Sequence, residues 1–158
     1  MISVLARRAL LLTAGIAGLT TTASAQPADE PVKIMDRYAA ALTANDVETL
    51  VSLYTANGVF IRDEMKPVVG REALRAAYKE VFATLKASLA FTVQEVEVVG
   101  DIAWLRATSA GKVKVLATGK EYSDAYNVVV VFRREGGAWK IRSYIYASSK
   151  PDSAQPPR

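Results

Sequence analysis

Apolar residues recur at spacings of three and four in three separate stretches of the chain, and then give way to alternation. Ile34, Met35, Tyr38, Ala41 and Leu42 share one face opposite Lys33, Arg37 and Ala44, which predicts an amphipathic helix. Asp29 or Glu30 can cap its start and Pro31 suits its first turn. Asn45 can end it, and Asp46 can cap a second, short helix that carries Val47, Leu50, Val51 and Tyr54 on one side. Asn57-Gly58 predicts a turn and residues 59–62 a short strand, followed by a polar loop over 63–67. From Arg71 onward, Leu74, Ala77, Tyr78, Val81, Phe82 and Leu85 predict a third helix. Three helices thus precede most of the sheet.

Alternation dominates the rest and predicts strands over 89–99, 102–115, 121–134 and 138–147. Gly100-Asp101, Thr118-Gly119 and Gly136-Gly137 supply the hairpin turns between them. Within the first of these strands the phase set by Leu89, Phe91 and Val93 shifts to Val96 and Val98 across Gln94-Glu95, which predicts a bulge that bends the strand. The later strands are apolar on both faces: Val128 to Phe132 form an unbroken run, and Trp139, Ile141 and Ile145 alternate with Tyr144 and Tyr146. A sheet with one wet face would not read this way. The expected fold class is α+β, a cone of three helices and a strongly bent antiparallel sheet. Helices cover its concave side, and the convex side is expected to meet a second copy in a homodimer formed through the sheet.

Composition narrows the chemistry. Residues 1–25 read as a signal peptide: Arg7 and Arg8 are its basic region, residues 9–20 its short apolar core, and Ala23-Ser24-Ala25 its cleavage site. The Arg7-Arg8 pair fits either general secretory or twin-arginine export. The expectation is therefore an exported, periplasmic or secreted protein with no stable membrane anchor after cleavage. Residues 26–31 are a linker, 32–147 one domain, and 148–158, with three prolines, a disordered tail. Removing Arg7 and Arg8 lowers the formal charge from +4 to +2, and the remaining Lys and Arg form no dense run, so a nucleic-acid partner is not expected. The chain has no cysteine and no histidine, which excludes disulfides, Ser-His-Asp and Cys-His catalysis, and zinc held by nitrogen or sulfur. No loop spaces carboxylates for an oxygen-ligated metal, and no cofactor is expected.

The order and spacing of YAAALTAND, LVSLYTANGVF, GREALRAAY, VEVVGDIAWLRA and VVVVFRREGGAWKIRSYIY resemble the nuclear transport factor 2-like superfamily, in its SnoaL-like branch related to ketosteroid isomerases. The resemblance spans residues 32–147 and implies a cystatin-like roll with an internal cavity. It does not imply one activity, because this superfamily hosts isomerases, dehydratases, epoxide hydrolases, cyclases and binding domains. In ketosteroid isomerases a tyrosine and a protonated aspartate form an oxyanion hole while another aspartate moves the proton. By that resemblance Tyr38 takes the tyrosine position, Arg62 falls on the base position with Asp63 one residue later, and the second aspartate falls near Asn127 or Val128. Two of the three positions depart from the isomerase pattern.

The candidate site follows from both readings. Tyr38 is either a core tyrosine bonded to a carbonyl or a donor facing a ligand. Asp63 is either part of a solvated turn or a general base at the cavity mouth. Tyr54, Phe60, Tyr78 and Phe82 fit the core and the cavity wall equally, and Met65 stands in the loop beside them. Trp104 and Arg106 share a strand face; Arg106 can stack on Trp104, pair with Asp101 or Asp124, or anchor an anionic ligand. Tyr126 shares a face with Asp124, while Tyr144 and Tyr146 share one with Lys140 and Arg142 and line either a cavity or a dimer interface. The leading expectation is a small hydrophobic or amphipathic molecule bound in the cavity. The competing ones are a cofactor-independent isomerase or lyase, with Asp63 as base and Tyr38 as donor to an enolate, and a dimeric interaction module.

Overall fold

The computed structural model describes residues 28–149; the signal-peptide reading, the first two linker residues and nearly all of the tail lie outside them, and the linker read over 26–31 gives way to helix from Asp29. Helix α1 (Asp29–Ala44) turns its buried Ile34, Met35, Tyr38 and Leu42 toward the sheet. It starts at Ala28 without a side-chain cap, and Asp29 and Glu30 stand inside its first turn, where carboxylates still favour the positive end of the helix dipole. Asn45 closes it in the left-handed conformation (φ 57°). Asp46 then caps α2 (Val47–Ser52), its carboxylate accepting from Thr49 N–H at 3.0 Å and from the Thr49 hydroxyl at 2.6 Å.

Asn57-Gly58 is not a turn between elements but lies inside β1 (Tyr54–Ile61). Between Tyr54 and Val59, β1 advances five residues while its neighbour advances only from Ile141 to Ser143, so the turn-forming pair occupies a wide bulge. Chain curvature there is tight enough that a Cβ on Gly58 would lie 2.7 Å from the side chain of Tyr54. Two residues, Val68–Val69, form β2, and α3 (Arg71–Thr84) follows. The third helix ends at Thr84, whose hydroxyl donates back to the carbonyls of Glu80 and Val81, both at 3.1 Å. Leu85 belongs to β3 (Leu85–Val99), because Leu85, Ala87 and Leu89 already alternate in step with Phe91 and Val93.

Strands β4 (Ile102–Val115), β5 (Glu121–Glu135) and β6 (Ala138–Ser148) complete a six-stranded sheet of order β2-β1-β6-β5-β4-β3. Every pairing is antiparallel except β1 with β6, which is parallel. Ser148, read as the first tail residue, is the last of β6, and Ser149 N–H still bonds to Ala125 at 3.0 Å. The bulge expected in β3 is present: pairing with β4 slips between Val93 and Glu95. A second slip, unforeseen, lies in β6. Val131 pairs with Ser143 but Phe132 pairs with Ile141, so Arg142 is the extra residue and the facing of the strand inverts across it. Tyr144 is consequently buried on the same side as Trp139 and Ile141, not on the side of Lys140. Helix α1 packs across β3 and β6, and the core lies between helices and sheet, with Leu105, Val128, Val130 and Phe132 at its centre.

Candidate functional site

Between the helices and the concave face of the sheet is a cavity of about 90 Å³. Tyr38 from α1, Tyr78 from α3, Phe60 from β1 and Tyr144 from β6 form its inner end. Tyr38 stacks on Tyr144 with centroids 4.7 Å apart, and Phe60 stacks on Tyr78 at 5.1 Å, so two ring pairs set the width of that end. The lining residues that are only half-buried are Val81, Leu85, Ala87, Leu89, Tyr126 and Tyr146, and these mark the opening. Ser109 and Val113 of β4 close the side wall.

The hydroxyls form a chain. Tyr78 Oη lies 2.9 Å from Tyr38 Oη and 2.8 Å from Tyr54 Oη. The Tyr144 hydroxyl adjoins that of Tyr38, so four hydroxyl protons serve three contacts and one is left for another acceptor; Tyr38, Tyr78 and Tyr144 border the cavity, while Tyr54 stands behind Tyr78. Burial pushes the pKa of Tyr38, Tyr54, Tyr78 and Tyr144 well above the usual tyrosine value, because a phenolate has no water there. Tyr126 is raised as well, first by burial and then by Asp124, whose carboxylate accepts its hydroxyl proton. Tyr146 is pushed up to about 12, chiefly by burial, with Asp63 and Asp124 raising it and Arg62 lowering it. At neutral pH these are all uncharged groups in an apolar wall.

Six predicted site residues meet in this wall: Tyr38, Phe60, Tyr78 and Tyr144 at the inner end, and Tyr126 and Tyr146 at the opening. Tyr54 supports them from behind, and Phe82 lies against Tyr78 with centroids 6.2 Å apart. Asp63 does not border the cavity but stands near its rim, as Arg62 does: both act on the Tyr146 hydroxyl, and Asp63 Oδ2 accepts from Ser148 N–H at 3.1 Å. Met65 is 49% exposed in the loop before β2. Trp104 and Arg106 point to the outer face of β4, opposite the buried Ala103, Leu105 and Ala107. There the Trp104 indole N–H donates to Glu97 at 3.0 Å, and Arg106 pairs with Glu95 at 3.3 Å and with Gln94, not with Asp101 or Asp124. The sequence reading missed Leu42, Val81, Leu85, Ala87, Leu89, Ser109 and Val113. Parity along β4 carried a signal for Ser109, since it continues the buried series Leu105 and Ala107. Among the described residues no group of three or more Asp or Glu could hold a metal ion. No helix among them is long and apolar enough to cross a membrane.

An α+β cone whose helices close a cavity against a bent sheet is the nuclear transport factor 2-like, cystatin-like architecture. The chain belongs to the SnoaL-like domain family, which matches residues 35–143. Solved structures agree on the fold. A ketosteroid isomerase-like protein from Erwinia carotovora atroseptica superposes with a TM-score of 0.76 at 24% identity, covering 81% of this chain and all of that one. A conserved protein from Planctomyces limnophilus gives 0.68 at 23% identity, over 75% of this chain and 94% of the other. A nuclear transport factor 2-like protein with a cystatin-like fold from Novosphingobium aromaticivorans gives 0.61 at 22% identity, over 80% and 84%. No curated protein matches the chain.

Proposed function

We propose that this protein is an exported carrier or receptor that binds a small hydrophobic or amphipathic molecule in the tyrosine-lined cavity. The observation that carries this reading is the wall itself: apolar rings and branched side chains, neutral hydroxyl donors, and no carboxylate among the lining residues. Such a wall favours transfer of apolar surface from water and orients one acceptor by hydrogen bonding. It is poorly suited to the competing isomerase or lyase reading, in which a carboxylate must reach a carbonyl neighbour to within about 3 Å. Asp63 is engaged by Ser148 outside the wall.

Native mass spectrometry of protein purified from its own host tests the reading. A co-purifying small molecule is expected, and Ala87→Phe, which places a ring at the opening, is expected to lower its occupancy at least about tenfold with little change in melting temperature. Retention of the ligand by Ala87→Phe would place it outside this cavity. Intact mass on the same sample reads the export expectation through cleavage after Ala25.

The outer sheet face supports a dimeric assembly. Val129 and Ile145 are paired neighbours and are 41% and 37% exposed; Val131 and Trp104, paired beside them, are half-buried. A contiguous apolar face of this kind is ordinarily covered. Sedimentation velocity at micromolar concentration is expected to give a dimer, and Val129→Glu a monomer; a monomeric native protein would remove the dimer from this reading.

A further inference from the structure

The cavity and its rim together restrict the ligand further, on the reading just given. A volume of about 90 Å³ is below the ~150 Å³ that an engineered cavity offers to benzene, so a ligand seats a short chain or part of a ring inside and leaves its remainder at the opening. What stands beside the Tyr146 side of that opening therefore selects the head group. Arg62 follows Phe60 at the strand-face spacing of two, and its guanidinium lies over the Phe60 ring, 5.9 Å from the centroid. It is near enough to Tyr146 to bias the ionisation of that hydroxyl.

Arg62 is the uncommitted charge there. Its Nε is buried and makes no hydrogen bond, and among the described residues it forms no ion pair. The nearby acids are occupied: Asp63 accepts from Ser148 N–H, and Asp124 accepts from Ala125 N–H and the Tyr126 hydroxyl. A buried guanidinium N–H without an acceptor is costly, and a planar fork of donors matches a carboxylate. We propose that Arg62 receives the head group of the cavity ligand, and that the ligand is a small amphipathic carboxylate whose apolar end enters between Phe60, Tyr144 and Tyr146. The residue that the resemblance to ketosteroid isomerases sets on the base position would thereby be an anion anchor, which changes the site from base to receptor.

Isothermal titration calorimetry with phenylacetate and its neutral counterpart 2-phenylethanol, and with hexanoate and 1-hexanol, tests this in the native protein, Arg62→Gln and Arg62→Lys. The native protein is expected to bind each acid at least about tenfold more tightly than its alcohol. Arg62→Gln is expected to lose that preference while holding the alcohols within about twofold, and Arg62→Lys to keep part of it. Melting temperatures of the variants report on folding separately. Equal binding of acids and alcohols by the native protein, or an acid preference that survives in Arg62→Gln, overturns the anion anchor while leaving the cavity reading in place. Absence of binding by all four compounds overturns both.

Discussion

Gly111→Ala is expected to destabilise the protein by about 3 kcal/mol or more, at the upper end of overpacking costs, and to lower its melting temperature by roughly 10 °C. A Cβ at Gly111 would meet the Ser88 carbonyl oxygen at 2.0 Å, its carbon at 3.0 Å and Leu89 Cα at 3.1 Å. These are backbone atoms of the paired strand, so no side chain can rotate away. Gly111 pairs with Leu89 in the long β3–β4 hairpin, and this is where β3 carries Ala87 and Leu89 over the cavity. Relief of the clash must separate the strands and lose ladder hydrogen bonds, or move the cavity wall. Gly119→Asn is the matched control: its φ of 68° is one that asparagine tolerates, and nothing lies within 4 Å of the added atom. Differential scanning calorimetry should give a large loss for the first variant and a change within about 1 kcal/mol for the second. A Gly111→Ala protein that melts within 2–3 °C of the native one, roughly a kcal/mol, would mean that the hairpin opens there without cost.

Local patterning made the elements legible, and parity made the site only half so. The periodicities that place Tyr38 and Tyr78 on the buried faces of α1 and α3 are present in the chain, as are Asn45 and Asp46 as stop and start signals. The bulge at Gln94 was visible because only one face of β3 is apolar. In β6 both faces are apolar, so the extra residue at Arg142 leaves no mark on the pattern, yet it decides that Tyr144 and Tyr146 face the core side. Arg106 and Trp104 were placed near the cavity for the same reason: alternation identifies two faces without saying which is concave. Asn57-Gly58 carries a turn signature that the fold uses as a bulge, since the Arg142 guanidinium bonds the Asn57 carbonyl and Gly70 N–H bonds the Gly58 carbonyl at 2.9 Å. The hydroxyl chain was not legible at all. Its partners stand 40 and 24 positions apart, and only the packing of α1, α3 and β1 brings them together.

That chain sets the other large expected effect. Tyr78→Phe removes the central hydroxyl and leaves those of Tyr38 and Tyr54 buried, 2% and 0% exposed, without their shared partner. A stranded hydroxyl costs about 1–3 kcal/mol, and Tyr38 keeps Tyr144 as a neighbour while Tyr54 loses its partner, so the single variant is expected to lose roughly 2–4 kcal/mol in urea unfolding. Replacing all three tyrosines by phenylalanine removes the chain's own hydroxyls and leaves only that of Tyr144, at the cavity wall, without its Tyr38 neighbour. The triple variant is therefore expected to be more stable than Tyr78→Phe, with a coupling energy of about 1–3 kcal/mol. Losses that simply add across the three positions would show that the hydroxyls do not act as a chain. Ligand affinity should follow a different order: the triple variant recovers stability yet lacks the Tyr38 and Tyr78 hydroxyls at the inner end of the cavity, so an acceptor-bearing ligand binds it about tenfold or more weakly than the native protein. Stability that recovers while affinity does not would separate the packing role of the rings from the recognition role of their hydroxyls.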